Sequence, residues 1–210
     1  YDIAYEITKN ESADYILDIG CGNGYKLARF KDEFPIVGID YGDNIEYCRK
    51  HPFGEWIDFN LESLRYLTIN KIDGIGIFSD VVEHLVNPDH ILLTIKHWLI
   101  NNICKVVVLS TPDRELTYGK NSLGPPDNIH HIREWTMDEL SAYMMKLGIP
   151  IAIKGLTCDR DHCSSRVQKD EYSYSYPNGY GNLPPFRTIF MILSYLDIKL
   201  FDDKIRWAIK

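Results

Sequence analysis

The stretch Asp18-Ile19-Gly20-Cys21-Gly22-Asn23-Gly24 decides the fold. Ahead of it, the apolar run Tyr15 to Ile19 reads as a buried strand entering a glycine turn. Behind it, Leu27, Phe30 and Phe34 are spaced for one helical face over Tyr25 to Phe34, and Pro35 stops the helix. Pro35 to Ile39 reads as a second strand ending at Asp40, twenty residues beyond Gly20. Glycines let a backbone bend sharply off a strand and approach a ligand without Cβ interference. An acid at the end of the second strand can accept both hydroxyls of an adenosine ribose. Glycine turn, helix, strand and terminal acid in that order predict a nucleotide-binding α/β unit.

Outward from this unit the pattern continues. Ile45 to Lys50 reads as a short helix, and Glu55 to Phe59 and Ile72 to Ser79 as strands. Pro88 takes a first helical position behind Asn87, and Ile91, Leu92, Ile95, Trp98 and Leu99 form that helix's apolar stripe. Lys105 to Ser110 is an almost unbroken β-branched run, the mark of a strand buried on both faces of a parallel sheet. Thr136-Met137-Asp138-Glu139 is a capping box, followed by the stripe Leu140, Tyr143, Met144 and Leu147 and stopped by Gly148 and Pro150. Ile151 to Thr157 and Thr188 to Leu196 complete the strands. Five strand–helix alternations before Gly148 predict a doubly wound, mostly parallel seven-stranded α/β sheet with helices on both faces. Two long segments interrupt the pattern, Thr111 to Trp135 and Arg160 to Pro185. Loops of that length are lids or binding loops more often than plain connectors. The first follows the carboxyl end of a central strand, where open α/β sheets bind ligands.

Composition narrows the class. The chain has 210 residues, 45% hydrophobic and 25% charged, which suits a single globular domain with a real core. The expected organisation is one domain over 1–210, with the cofactor-binding core at about 14–157 and a C-terminal strand and substrate loop at about 158–210. A net charge of −7 repels phosphate backbones, so no nucleic-acid partner is expected. No apolar run reaches the ~18–20 residues needed to span a bilayer, and no basic-then-apolar leader opens the chain at Tyr1. Five scattered cysteines fit reduced thiols and a cytoplasmic location. Cys158, His162 and Cys163 lie close together but lack a fourth ligand and a paired CxxC, so no metal is expected.

Spacing also selects the nucleotide. The dinucleotide fingerprint needs a glycine at position 25, where Tyr25 stands, and Asp18 precedes the first glycine by two. A pyrophosphate wants helix N–H groups and no nearby carboxylate, whereas a cationic sulfonium amino acid tolerates acids. The D-x-G-x-G-x-G form therefore favours S-adenosyl-L-methionine over NAD.

Here the chain resembles the class I S-adenosylmethionine-dependent methyltransferases, with a Rossmann-like sheet, and within them the ubiquinone-biosynthesis-type, methyltransferase type 11 group. The likeness covers roughly residues 14–157. Asp58-Phe59-Asn60 resembles the segment that meets the adenine, and Asp80-Val81-Val82-Glu83-His84-Leu85 the D-V-x-E-H-L stretch after the fourth strand. Ser110-Thr111-Pro112-Asp113 resembles the turn after the fifth, and His131-Ile132-Arg133-Glu134-Trp135-Thr136 the entry into the following helix. Ser122-Leu123-Gly124-Pro125-Pro126 resembles methyltransferases associated with surface-glycan (polysaccharide) biosynthesis.

The resemblance implies cofactor binding by Asp18, Gly20, Cys21, Gly22, Gly24, Asp40, Tyr41, Asp58, Phe59, Asn60, Ser79 and Asp80. Thr111, His130, Arg133 and Trp135 are the expected acceptor contacts. A hydroxyl acceptor benefits from a base near neutrality, which histidine supplies. His131 is the first candidate and His84 the second. Each has a plainer reading: the glycines as a tight turn, Asp40 as a helix cap, and both histidines as donors to local backbone. A sugar or glycan hydroxyl is the expected acceptor. Another metabolite, a protein side chain and a catalytically silent cofactor-binding subunit are the alternatives, with a homodimer a candidate assembly.

Overall fold

A computed structural model of the chain describes residues 1–119, 121–158 and 186–196. Seven strands form one sheet: β1 (Tyr15–Ile19), β2 (Ile36–Asp40), β3 (Glu55–Asp58), β4 (Gly74–Ser79), β5 (Cys104–Pro112), β6 (Ile151–Cys158) and β7 (Phe186–Leu193). Their order is β3-β2-β1-β4-β5-β7-β6, with β7 antiparallel to both of its neighbours and the rest parallel. This is the doubly wound, mostly parallel seven-stranded sheet expected from the sequence. It places the carboxyl ends of β1, β2, β4 and β5 side by side along one edge.

Two cores cover the two faces, and the strands feed them by simple alternation. Leu17, Ile19, Val37, Ile39, Val107 and Leu109 pack with α3 (Asp89–Ile100) and α5 (Met137–Leu147). Ile16, Ile36, Ile75, Ile77, Val106 and Val108 pack against α1 (Asp2–Asn10) and α2 (Asp43–Cys48). The capping box at Thr136 and Glu139 forms in both directions, and Gly148 ends α5 at φ 65.

Three elements differ from expectation. The helix expected over Tyr25 to Phe34 is a 3-10 helix over Tyr25–Phe30. Its three-residue turn brings Leu27 and Phe30 onto one buried face, which a separation of three satisfies directly. As in the sequence reading, no helix or strand lies between β3 and β4, so strand and helix alternate four times before Gly148 and not five. Within Thr111 to Trp135 the chain forms α4 (Arg114–Tyr118), capped by the Asp113 carboxylate, which accepts from Leu116 N–H at 3.0 Å. A bridge between Asp113 and Trp135 closes the base of this segment. The helix α1 carries no glycine or capping signal, and only the Ala4/Ile7 spacing marks its buried face. His162, Cys163 and the loop expected over Arg160 to Pro185 lie outside the described residues.

Candidate active site

At the end of β1 the backbone turns through Gly20, Gly22 and Gly24, at φ 80, 56 and 73. Gly20 is doubly required. Its φ is left-handed, and a Cβ there would lie 2.6 Å from Val81 Cγ2. The N–H groups of Gly20 and Cys21 donate to the Ile39 carbonyl at 2.8 and 3.0 Å, locking the turn against β2. Asp40, buried at the end of β2, accepts from Gly22 N–H at 2.7 Å on one oxygen and from Tyr41 N–H and Asn44 on the other. Three of its roughly four acceptor positions are thus filled from within the chain.

Beneath the turn, Asp18 is 1% exposed. Burial pushes its carboxyl up to about 7, against the pull of a hydrogen bond donated by the Tyr1 hydroxyl at 2.8 Å. Its second oxygen, Oδ1, has no partner among the described residues. Cys21 is buried 3.8 Å from the Cys48 sulfur, and burial pushes its thiol up, so it stays protonated. Tyr41, Asp58 and Asn60 are exposed along the same edge, while Phe59 is buried in the core. Ser79 bonds Ser110 hydroxyl to hydroxyl at 2.7 Å across β4 and β5, and Asp80 takes a left-handed φ of 57 at the strand end.

The other half of the edge follows β4 and β5. A short 3-10 turn, Val82–His84, presents Glu83 inward and His84 outward. Glu83 is 1% exposed; Thr111 donates to its Oε2 at 2.9 Å, and its Oε1 has no partner among the described residues. Burial pushes this carboxyl up to about 8. The Glu83 carbonyl accepts from Ile132 and Arg133 N–H at 2.7 and 3.2 Å, which pins the 111–135 segment over the sheet edge.

That contact brings the two candidate histidines together, with ring centroids 4.7 Å apart and planes at 86°. The Nδ1 of His84 faces the His130 carbonyl at 2.8 Å, and the Nδ1 of His131 faces Glu134 Oε1 at 2.6 Å. Both partners only accept, so Nδ1 carries the proton in each ring and the lone pair sits on Nε2. Asn128 Nδ2 lies 2.9 Å from the His131 Nε2. Glu134, 4% exposed, leaves its Oε2 without a partner among the described residues.

Alongside lies a pocket of about 340 Å³ lined by Arg114, Tyr118, Leu123, Arg133 and Glu139 among others. Arg114 bonds Glu139 at 2.7 Å and the Ser122 carbonyl; Arg133 stacks 3.9 Å over Trp135.

The site thus gathers most of the expected residues along one edge. Burial removes two from the acceptor surface. Thr111 is fully buried with its hydroxyl on Glu83, and Trp135 is buried beneath Arg133 and against Tyr143. His130 serves through its backbone carbonyl while its side chain stays exposed. Glu134, Asn128 and Tyr1 are the site groups that sequence reasoning passed over. The His131-to-Glu134 interval of three was the one available signal.

Comparison with known proteins agrees with the fold. No curated protein matches the chain. Among solved structures, the methyltransferase domain of bacterial CtHen1 is 16% identical, with 92% of this chain and 96% of that one aligned at a TM-score of 0.59. An S-adenosylmethionine-dependent methyltransferase from Archaeoglobus fulgidus is 17% identical over 91% of this chain and 92% of that one, at a TM-score of 0.55. Another from Clostridium acetobutylicum is 11% identical over 92% and 89%, at a TM-score of 0.58. At these identities the likeness speaks for the fold. A family model described as a methyltransferase domain matches residues 2–151, most of the chain. The chain belongs to that family, and it is an S-adenosylmethionine-dependent methyltransferase.

Proposed function

We propose that the enzyme methylates a hydroxyl of a sugar or other small glycan-type acceptor. The carrying observation is the paired His84 and His131 at the edge of β4 and β5, with Glu134 behind His131. S-Adenosylmethionine fits the other half of the edge. A Cβ on Gly22 would meet nothing within 4 Å, so the turn borders open space, and the unpartnered Asp18 Oδ1 lies beneath it. When bound, the cofactor supplies a methyl group already activated by its sulfonium charge.

The chain's part is to position and deprotonate the acceptor. Glu134 fixes the His131 ring and its tautomer, leaving Nε2 to take the hydroxyl proton once the Asn128 amide moves aside. Asp40 holds the ribose and keeps the Gly22 turn closed; Tyr41, Asp58 and Asn60 flank the nucleoside. The pocket beside Arg114 and Arg133 takes the acceptor. Arg114 is held by Glu139 and the Ser122 carbonyl, and Glu134 and Glu139 balance the two guanidinium charges, which suits a polar, neutral acceptor such as a sugar.

No helix of the described residues is long and apolar enough to cross a membrane, which fits a polar acceptor reached from water. The test is incubation of the protein with methyl-labelled cofactor and an extract, followed by separation into lipid, nucleic-acid, protein and glycan fractions. Label is expected with glycans or small polar metabolites. Label in nucleic acid or protein overturns the acceptor class, and no turnover with any acceptor pool favours the silent cofactor-binding subunit.

A further inference from the structure

We propose that Glu83, His84 and His131 form a site for one divalent first-row transition-metal ion, open to the acceptor pocket. The sequence reading expects no metal, and these residues stand up to 48 positions apart. The fold supplies what the spacing lacks. One potential ligand atom from each of the three lies within 4.8 Å of the others. An ion with bonds of about 2.1 Å holds tetrahedral ligands about 3.4 Å apart, so closure needs a shift on the order of 1 Å.

The two imidazoles are already in binding form. Each imidazole has its Nδ1 proton committed to an acceptor, the His130 carbonyl for His84 and the Glu134 carboxylate for His131. That leaves Nε2 unprotonated in both rings, the form a metal requires. The buried Glu134 behind His131 is the carboxylate that metal-bound histidines characteristically carry on their far nitrogen. Asn128 is the group an ion would displace; it is exposed, and its amide points at the His131 Nε2 lone pair.

A second observation points independently to a ligand. Glu83 is 1% exposed, and its Oε1 lies buried without a partner among the described residues. A buried oxygen left unpaired costs roughly 1–3 kcal/mol. Thr111 orients the same carboxyl through Oε2 at 2.9 Å, leaving Oε1 available to a cation. Two imidazoles and one carboxylate suit zinc, cobalt or iron(II) better than magnesium or calcium, which prefer all-oxygen shells.

Three protein ligands leave coordination positions open. With the ion bound, His131 Nε2 is a ligand and no longer the base of the metal-free reading. An acceptor hydroxyl entering an open position would release its proton to water at lower pH than in solution and present its oxygen for transfer. This role rests on the hydroxyl-acceptor reading above, although metal binding itself does not.

The test is calorimetric titration of chelator-stripped full-length protein with cobalt(II), with the visible spectrum followed in parallel. One equivalent should bind, with no thiolate-to-metal charge-transfer band. His84→Ala, at an exposed position, and Glu83→Gln should each weaken binding more than tenfold. Glu134→Gln, a positioning change that does not touch the ion, should weaken it about 10–100-fold. Thermal melts show which variants remain folded, and His84→Ala carries the test if Glu83→Gln does not. Absence of binding in the unmodified protein overturns the site, as does unchanged affinity in folded His84→Ala. Titration with S-adenosylhomocysteine in the same samples separates this outcome from failure of the methyltransferase reading, because the glycine turn should bind product with or without cobalt.

Discussion

The two halves of the sheet edge are built by different means. On the β1–β2 side the groups that shape the site are mostly backbone, bonded across eighteen or nineteen residues: Gly20 and Cys21 to Ile39, and Gly22 to Asp40. On the β4–β5 side they are side chains joined over longer intervals. Thr111 reaches Glu83 across 28 residues, His84 meets the His130 carbonyl across 46, and the histidine rings meet edge to face. The first half is a rigid mould whose shape is set locally. The second is an assembly of titratable groups whose meeting depends on how the 111–135 segment lies across the edge. Binding and chemistry are thereby separable, and variants on each side should fail differently.

The sharpest break of that contrast is at Gly20. Gly20→Ala places a Cβ 2.6 Å from Val81 at a left-handed φ, so strain and overpacking together should cost several kcal/mol and unfold or cripple the protein. Gly22→Ala meets nothing within 4 Å and should cost only about 1–2 kcal/mol of stability. Its methyl group projects into the space assigned to the cofactor, so product binding should fail while the melt stays close to that of the parent. Equal melts for the two variants would mean that Val81 does not brace the turn.

On the acceptor side, His131→Ala should lower turnover by about 10²–10⁴-fold, with product affinity within a factor of a few. A fall in product affinity of the same size would join the two halves and end the separation.

Asp18 gives a pH signature on the mould side. Its carboxyl is raised by burial to about 7, so the folded state holds a proton that the unfolded chain releases near pH 4. Stability from this group is complete below about pH 4 and is lost progressively as pH rises from about 4 to about 7. The total is roughly 4 kcal/mol for a shift of about three units. Asp18→Asn should flatten that portion of the stability–pH curve. A carboxylate formed above pH 7 also attracts the cofactor's ammonium group, so product affinity should rise with pH in the parent and not in the variant.

The smallest effect on product binding among the mould variants is at Asp40. Asp40→Ala should cost about 1.5–3 kcal/mol of product binding, the scale of charge-assisted hydrogen bonds. The loss combines a ribose contact with a loosened Gly22 N–H, and calorimetry against S-adenosylhomocysteine reads it directly.

The same division explains what was legible in the sequence. The strand β5 announces itself by its β-branched run, α5 by Thr136 and Glu139, and the nucleotide end by glycines and an acid at fixed spacing. Each is local chemistry. Short elements such as α4, and the 3-10 form of Tyr25–Phe30, escape because three to six residues carry too little periodicity to separate turn types. The burial of Thr111 and Trp135 depends on neighbours far along the chain. Glu134 was hidden for another reason. Its importance lies in being enclosed behind His131, and a glutamate in a polar loop gives no sign that it is dry.

The antiparallel insertion of β7 between β5 and β6 has a consequence for how the chain comes off the ribosome. When Cys158 emerges, β6 still waits for β7, its partner among the described strands. The flank of β5, with Val107, Val108 and Leu109 along it, stays open until Phe186–Leu193 arrives about eighty residues after β5 was made. An apolar edge left waiting is a template for unwanted pairing. Closure over such a sequence separation is also slow. The nucleotide-binding half can be complete while the sheet is still unsealed, so the vulnerable interval in this protein's synthesis falls late, and chaperone demand should concentrate there.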